Sequence, residues 1–225
     1  MKLELISFKL CPFVQRSIIA LRHKGLPYSV TYVDLEDPPA WFLAISPMGR
    51  VPALRVDDDT VLFESAIINE FIDDVTPGSL RPGDPLRLAQ NRGWIQFGEQ
   101  CLFDQYHWMT AATEEDFENA EHKLRVNLRK LEAALGEGPY FNGEEFSLVD
   151  CAYAPLWMRY ARLASRHSPF ERDEFPRLAA WSDALLSLEA VQGSVPEDFD
   201  TLLTDYIRSH GAHAGAVLGG APRPI

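Results

Sequence analysis

The chain is poor in cysteine, in basic charge and in long apolar runs. Three cysteines in 225 residues are too few, and odd in number, for a disulfide framework. Lys and Arg total 21 against 33 Asp and Glu, a formal net charge of −12. So acidic a chain repels phosphate backbones, which argues against nucleic acid as a partner. No apolar run approaches the ~18 residues of a membrane span. Glu4 and Lys9 interrupt the N-terminus before the apolar stretch of a signal peptide can form. The expectation is a cytoplasmic chain with free thiols and no membrane contact. Hydrophobic residues at 46% and charged residues at 24% are ordinary for a globular protein and exclude a disordered one.

What is present falls into two parts. Leu3 to Phe8 reads as a buried strand. Pro12 suits the first position of a helix, whose apolar spacing runs through Val14, Ile18 and Leu21 to a stop at Gly25. Tyr28 to Leu35 reads as a strand. Val51 to Val56 and Val61 to Phe63 flank Asp57-Asp58-Asp59 and read as an antiparallel hairpin. Ser65 is the expected N-cap of a helix carrying Ile67, Ile68, Phe71, Ile72 and Val75.

Pro77, Gly78, Pro82, Gly83 and Pro85 then mark a linker. Beyond it the pattern is helical, clearest at Phe117, Leu124, Leu128, Leu131 and Leu135. The expected division is an α+β domain over 1–77, a linker over 78–85, an all-helical domain over 86–210 and a frayed, Gly- and Ala-rich tail over 211–225. Ser147 and Asp150 have the spacing of a capping box, with Phe146 and Cys151 at the staple positions, and read as helix stabilisers.

Cys11 lies between the first strand and Pro12, at a helix start. The unpaired N–H groups there favour a thiolate, and Lys9 and Arg16 add positive charge nearby. The expectation is a lowered thiol pKa and a nucleophile. Cys11-Pro12-Phe13-Val14 holds no second cysteine, so a dithiol mechanism within the motif is excluded. Cys101 and Cys151 fall in apolar helical patterns and read as core. His210 and His213 lie in the tail, and no metal site is expected.

Three further segments follow Cys11 in order: Ser46-Pro47-Met48-Gly49-Arg50-Val51-Pro52-Ala53-Leu54, Phe63-Glu64-Ser65-Ala66-Ile67-Ile68, and Phe146-Ser147-Leu148-Val149-Asp150. Together they resemble the cytosolic glutathione transferases, up to about Arg208. The resemblance implies a thioredoxin-like N-terminal domain, an all-α C-terminal domain and a homodimer. It also implies glutathione as co-substrate, held by Phe13, Val51, Pro52, Glu64 and Ser65, with Pro52 as a cis-proline. Val51 would pair with the cysteinyl backbone, Ser65 and the helix start would take the γ-glutamyl carboxylate, and Glu64 the ammonium.

Cys11-Pro12-Phe13 is similar to the cysteine-type, omega-like members, which form a mixed disulfide with glutathione. Their loop lysine has no counterpart in Asp37-Pro38-Pro39-Ala40-Trp41. Arg50 is the candidate for the missing charge. Tyr106, Trp108 and Trp157 are the candidate walls of a hydrophobic or disulfide co-substrate pocket. Three readings follow: thiol transfer, reduction or deglutathionylation through Cys11; conventional conjugation to hydrophobic electrophiles; or a non-catalytic binding or regulatory module.

Overall fold

The computed structural model describes residues 1–57 and 60–220. The first part is built from β1 (Leu3–Ser7), α1 (Pro12–His23), β2 (Ser29–Tyr32), α2 (Ala40–Ile45), β3 (Ala53–Val56), β4 (Thr60–Phe63) and α3 (Ser65–Asp74). The sheet order is β2-β1-β3-β4. β1 runs parallel to β2, while β1–β3 and β3–β4 are antiparallel. β1 is buried on both faces because alternate side chains meet different partners. Leu3 and Leu5 pack into the main core with Val14, Ile19, Ile68 and Ile72, whereas Ile6 packs with Phe42 of α2. The result is the expected α+β, thioredoxin-like domain.

The second part is helical: α4 (Pro85–Met109), α5 (Glu114–Ala134), α6 (Leu148–Leu163), α7 (Pro176–Ser187), α8 (Glu189–Gln192), α9 (Phe199–His210) and α10 (Ala212–Leu218). Trp108, Trp157 and Trp181 are wholly buried there, and the core is continuous with that of the first part across α1 and α6. At the start of α6 the Asp150 carboxylate is the hub. It accepts from Ser147 N–H (2.8 Å), Ser147 Oγ (2.6 Å), Phe141 N–H (2.9 Å) and Trp181 Nε1 (2.7 Å).

The linker is anchored by a second buried carboxylate. Asp73 accepts from Leu80 N–H (2.8 Å), Ser79 Oγ (2.9 Å) and Arg81 Nε (2.9 Å), and pairs with Lys24 (2.9 Å). Burial pushes its carboxyl up. The donors from Leu80, Lys24, Ser79 and Arg81 outweigh that and hold it below the usual value. A depressed folded-state value stabilises the fold above the unfolded pKa of about 4, and that stability is lost as pH falls through the folded value. Asp73→Asn is therefore expected to lose about 2–3 kcal/mol at pH 7. It should also show a shallower decline below about pH 4 than the wild type. Urea unfolding across pH reads both, and parallel acid declines in the two proteins would refute the assignment.

Several local expectations are corrected. β2 ends at Tyr32 rather than Leu35: Val33 N–H still bonds Ser7 O (2.9 Å), but the chain then leaves the sheet towards Pro38 and Pro39. β3 begins at Ala53, because the preceding Val51–Pro52 peptide is cis and Pro52 has no N–H for the ladder. Ser65 is the first residue of α3 and not its N-cap, which is Glu64. Of the apolar residues expected on this helix only Ile68 and Ile72 are buried, while Phe71 is half-buried and Ile67 and the C-cap Val75 are exposed. Asp58 and Asp59 of the hairpin turn, and the tail beyond residue 220, lie outside the described residues.

The largest correction is the tail. Residues 212–218 form α10, with Ala214 and Leu218 wholly buried. Its small residues allow close packing rather than fraying. A Cβ at Gly211 would lie 2.9 Å from the Thr110 carbonyl carbon, and one at Gly215 3.1 Å from Arg208 Cα.

Candidate glutathione and thiol site

Pro12 starts α1, which makes Cys11 its N-cap, with extended backbone (φ −69°, ψ 117°). The side chain is half-buried, and its Sγ lies 3.8 Å from Val51 O. The cis Val51–Pro52 peptide brings that carbonyl beside the helix start. The backbone of this loop is clamped by a residue the sequence reading did not single out. The buried Ser46 hydroxyl donates to Arg50 O (2.9 Å) and accepts from Arg50 N–H (3.0 Å).

The expected lowering of the Cys11 thiol is not found. Burial is the largest influence and pushes the thiol above its usual value. The N–H groups of Val14 and Phe13, then Arg159 and Arg16, pull the other way. Lys9 is not part of this balance: it is exposed and paired with Asp198 at 2.9 Å. The nearby positive charge comes instead from two buried arginines, Arg16 and Arg159, each 2% exposed. Burial brings both guanidinium groups down to about 10.

Phe13, Arg50, Val51, Pro52, Glu64 and Ser65 line one cleft of about 80 Å³. Glu64 sits at its exposed rim with φ +69°, a left-handed conformation that costs a non-glycine residue about 1–3 kcal/mol. Ser65 is 5% exposed, and among the described residues its hydroxyl makes no hydrogen bond. The first N–H groups of the ten-residue α3 lack partners within the helix, so hydroxyl and amides together can hold a carboxylate. Arg50 is exposed in the same wall.

Two further residues line the cleft from the helical domain, Glu99 and Phe103 of α4. The sequence reading missed both. Their spacing of four, on the helix that also carries Tyr106, was the available signal. The Phe103 ring lies 5.3 Å from that of Phe13, and the Arg16 guanidinium carbon lies 5.2 Å from the centroid of the Phe13 ring.

The three proposed pocket aromatics do not converge on this cleft. Trp108 is wholly buried against Phe117, Tyr160 and His167 and serves as core. Trp157 is wholly buried beneath a separate cavity of about 700 Å³, bounded by α6, residues 164–173 and α7. Helical spacing identifies an apolar face but not whether that face meets core or cleft. Tyr106 alone is exposed, its hydroxyl 3.5 Å from that of Tyr206 on α9. Tyr206 stacks on His210 at 3.8 Å and lies 6.3 Å from Phe8, giving an aromatic group that the sequence reading did not assemble. Cys101 and Cys151 are buried, and burial drives both thiols up, Cys101 to about 12.

Among the described residues no cluster of three or more His, Cys, Asp or Glu could hold a metal ion. Nor is any helix there long and apolar enough to cross a membrane.

Comparison with known proteins bears on this arrangement at three levels. The glutathione S-transferase N-terminal domain family matches residues 10–75, and the C-terminal domain of the same family matches 114–184. Glutathione transferase GST 23 of Zea mays is 32% identical over 196 residues, spanning 85% of this chain and 88% of its own. Among solved structures, glutathione transferase Omega 3C of Trametes versicolor superposes with a TM-score of 0.76 at 32% identity, covering 88% of this chain and 90% of that one. Rice GST1, solved in complex with glutathione, gives 0.79 at 26% identity, covering 93% and 98%. The two-domain fold, the match along both domains and the enzyme relatives agree: this chain belongs to the glutathione S-transferase family and is a glutathione transferase.

Proposed function

We propose that the enzyme performs glutathione-dependent thiol transfer, reduction or deglutathionylation through a Cys11–glutathione mixed disulfide. The observation that carries this reading is the position of Cys11. It is the only described cysteine that is not fully buried, and its sulfur adjoins Val51, in the wall of the cleft formed with Glu64 and Ser65. Glutathione is the co-substrate in this reading, and the glutathione complex of the rice relative supports it. Ser65 and the start of α3 receive the γ-glutamyl carboxylate, Glu64 the ammonium, and the Val51 backbone the cysteinyl unit.

The sulfur chemistry runs in two exchanges. The Cys11 thiolate attacks the glutathione sulfur of a mixed disulfide. The new Cys11–glutathione bond forms as the old S–S bond breaks, and the substrate thiolate leaves and takes up a proton. A second glutathione thiolate then attacks the protein-bound glutathione sulfur, releasing oxidised glutathione and restoring the Cys11 thiolate. The omega relative supports this choice. The aromatic group of Phe8, Tyr106 and Tyr206 is the candidate co-substrate surface. A homodimer belongs to the same reading, with the exposed Phe63 and Ile67 beside the cleft as apolar contact surface.

A second reading, conjugation to electrophiles, is favoured by one observation. Burial raises the Cys11 thiol, and a protonated Cys11 leaves glutathione's own sulfur as the nucleophile. Mass spectrometry after incubation with oxidised glutathione separates the two. One glutathionyl adduct, mapped to Cys11 and missing in Cys11→Ser, is the expected result. A wild type without an adduct, or with one on Cys101 or Cys151, would overturn the mixed-disulfide mechanism.

A further inference from the structure

We propose that Arg159, carried by α6 of the helical domain, is a positioning residue for Cys11, its buried guanidinium serving as the cation that faces the Cys11 thiolate. This rests on Cys11 being the nucleophile.

Arg159 is 2% exposed, yet among the described residues it makes no ion pair. Its hydrogen-bond partners are all neutral. Nη2 donates to Leu10 O (2.8 Å), and Nη1 to Gln15 Oε1 and Pro155 O (both 2.8 Å). Its aromatic neighbour is the Phe199 ring, 5.3 Å away. A buried charge without a counter-charge is expensive, and neutral carbonyls offset only part of that cost. The contacts show where the missing anion belongs. Leu10 is the residue immediately before Cys11. Gln15 lies one turn after it and donates its own N–H to Cys11 O (3.1 Å). Arg159 therefore grips the Cys11 turn on both sides.

Cys11 and Arg159 also share one small cavity with Gln15 and Ser194. At about 10 Å³ it has room for no more than one water. A thiolate there faces the guanidinium with almost no solvent to screen it, so the attraction is far stronger than at a surface. Gln15 locks the arrangement, donating to Ser194 Oγ at 2.9 Å.

The other charged groups around Cys11 are accounted for. Arg16 on α1 donates to Ala152 O (3.0 Å), and it is shared electrostatically among the Tyr153 hydroxyl, Glu99 of α4, Cys101 and Cys11. Lys9 is neutralised by Asp198. Glu64, the N-cap of α3, and Glu99 of α4 line the neighbouring cleft with Val51, and their negative charge opposes a thiolate. Of the two buried arginines, Arg159 exerts the larger downward pull on the Cys11 thiol. The nucleophile of the first domain thus depends on a cation supplied by the second.

The test reads the thiol directly. The rate of Cys11 alkylation by iodoacetamide is followed against pH, with the modified peptide resolved by mass spectrometry. In Arg159→Met the titration midpoint should rise by about one unit, with a roughly tenfold slower reaction at pH 7. Arg159→Gln, which retains a donor for Leu10 O, should show the same rise and covers the case in which the methionine variant does not fold. Arg159→Lys should return the midpoint to near the wild-type value. A neutral variant with an unchanged midpoint, or a lysine variant with a midpoint as high as the neutral ones, would overturn the proposal. Alkylation needs no substrate. A missing glutathione adduct therefore defeats the mixed-disulfide reading, whereas an unchanged midpoint defeats only the role of Arg159.

Discussion

Cys11→Ser should abolish thiol transfer while leaving a folded, glutathione-binding protein. A serine oxygen cannot form the sulfur–sulfur bond, so kcat/KM on a glutathionylated disulfide should fall at least ~1,000-fold, equivalent to about 4 kcal/mol of transition-state stabilisation. The loss will not come from unfolding. Cys11 is the N-cap of α1 and makes no side-chain capping bond, whereas serine is a favoured N-cap. The variant should match or exceed the wild-type stability, by up to about 1 kcal/mol. Glutathione affinity should change little, because Glu64, Ser65 and the Val51 backbone are untouched. Conjugation of an aryl halide should be retained or raised. Parallel steady-state assays on the two substrate types and a thermal melt decide the matter. Thiol transfer retained within tenfold would remove Cys11 from the mechanism.

The second large effect concerns stability. Asp150→Ala should cost about 3–5 kcal/mol, because four donors lose their acceptor together inside the protein. Those donors come from the Phe141 backbone, the Ser147 backbone and hydroxyl, and the Trp181 indole. They join the loop before α6, the start of α6 and the middle of α7. Burial pushes the Asp150 carboxyl up, even against these four bonds, so the site is expensive to form and the donors are what keep it satisfied. Urea unfolding followed by tryptophan fluorescence measures the cost, and a loss below about 1 kcal/mol would show that the donors find other partners. Asp150→Asn should fall between the two, since its amide retains one acceptor oxygen but turns a donor towards donors.

The elements read correctly from sequence are those governed by contacts between near neighbours. Pro12 at a helix start, Gly25 beyond its end (φ +66°), the β3–β4 hairpin and the Ser147–Asp150 pairing each depend on residues within a few positions of one another. The clustering of Phe13, Val51, Glu64 and Ser65 around one cleft was implied by the resemblance to the glutathione transferases and by nothing in the local spacing. The errors have a common origin. Trp108 and Trp157 occupy helical faces whose burial depends on which other helix lies opposite. The 211–220 segment looked loose because its residues are small, yet small residues are what let it pack against Thr110 and Arg208.

The sequence by itself determined the two-part architecture, the thiol at the first helix start and the absence of any second thiol in its motif. Each follows from local backbone preference or simple counting. Tertiary structure alone decided the environment of that thiol. It raised the Cys11 thiol by burial, gave Lys9 to Asp198 and brought Arg159 to Leu10 across 149 residues of chain. Charge near in sequence proved a poor guide, because solvent and a surface partner screen Lys9, while a buried guanidinium acts at short range and low dielectric.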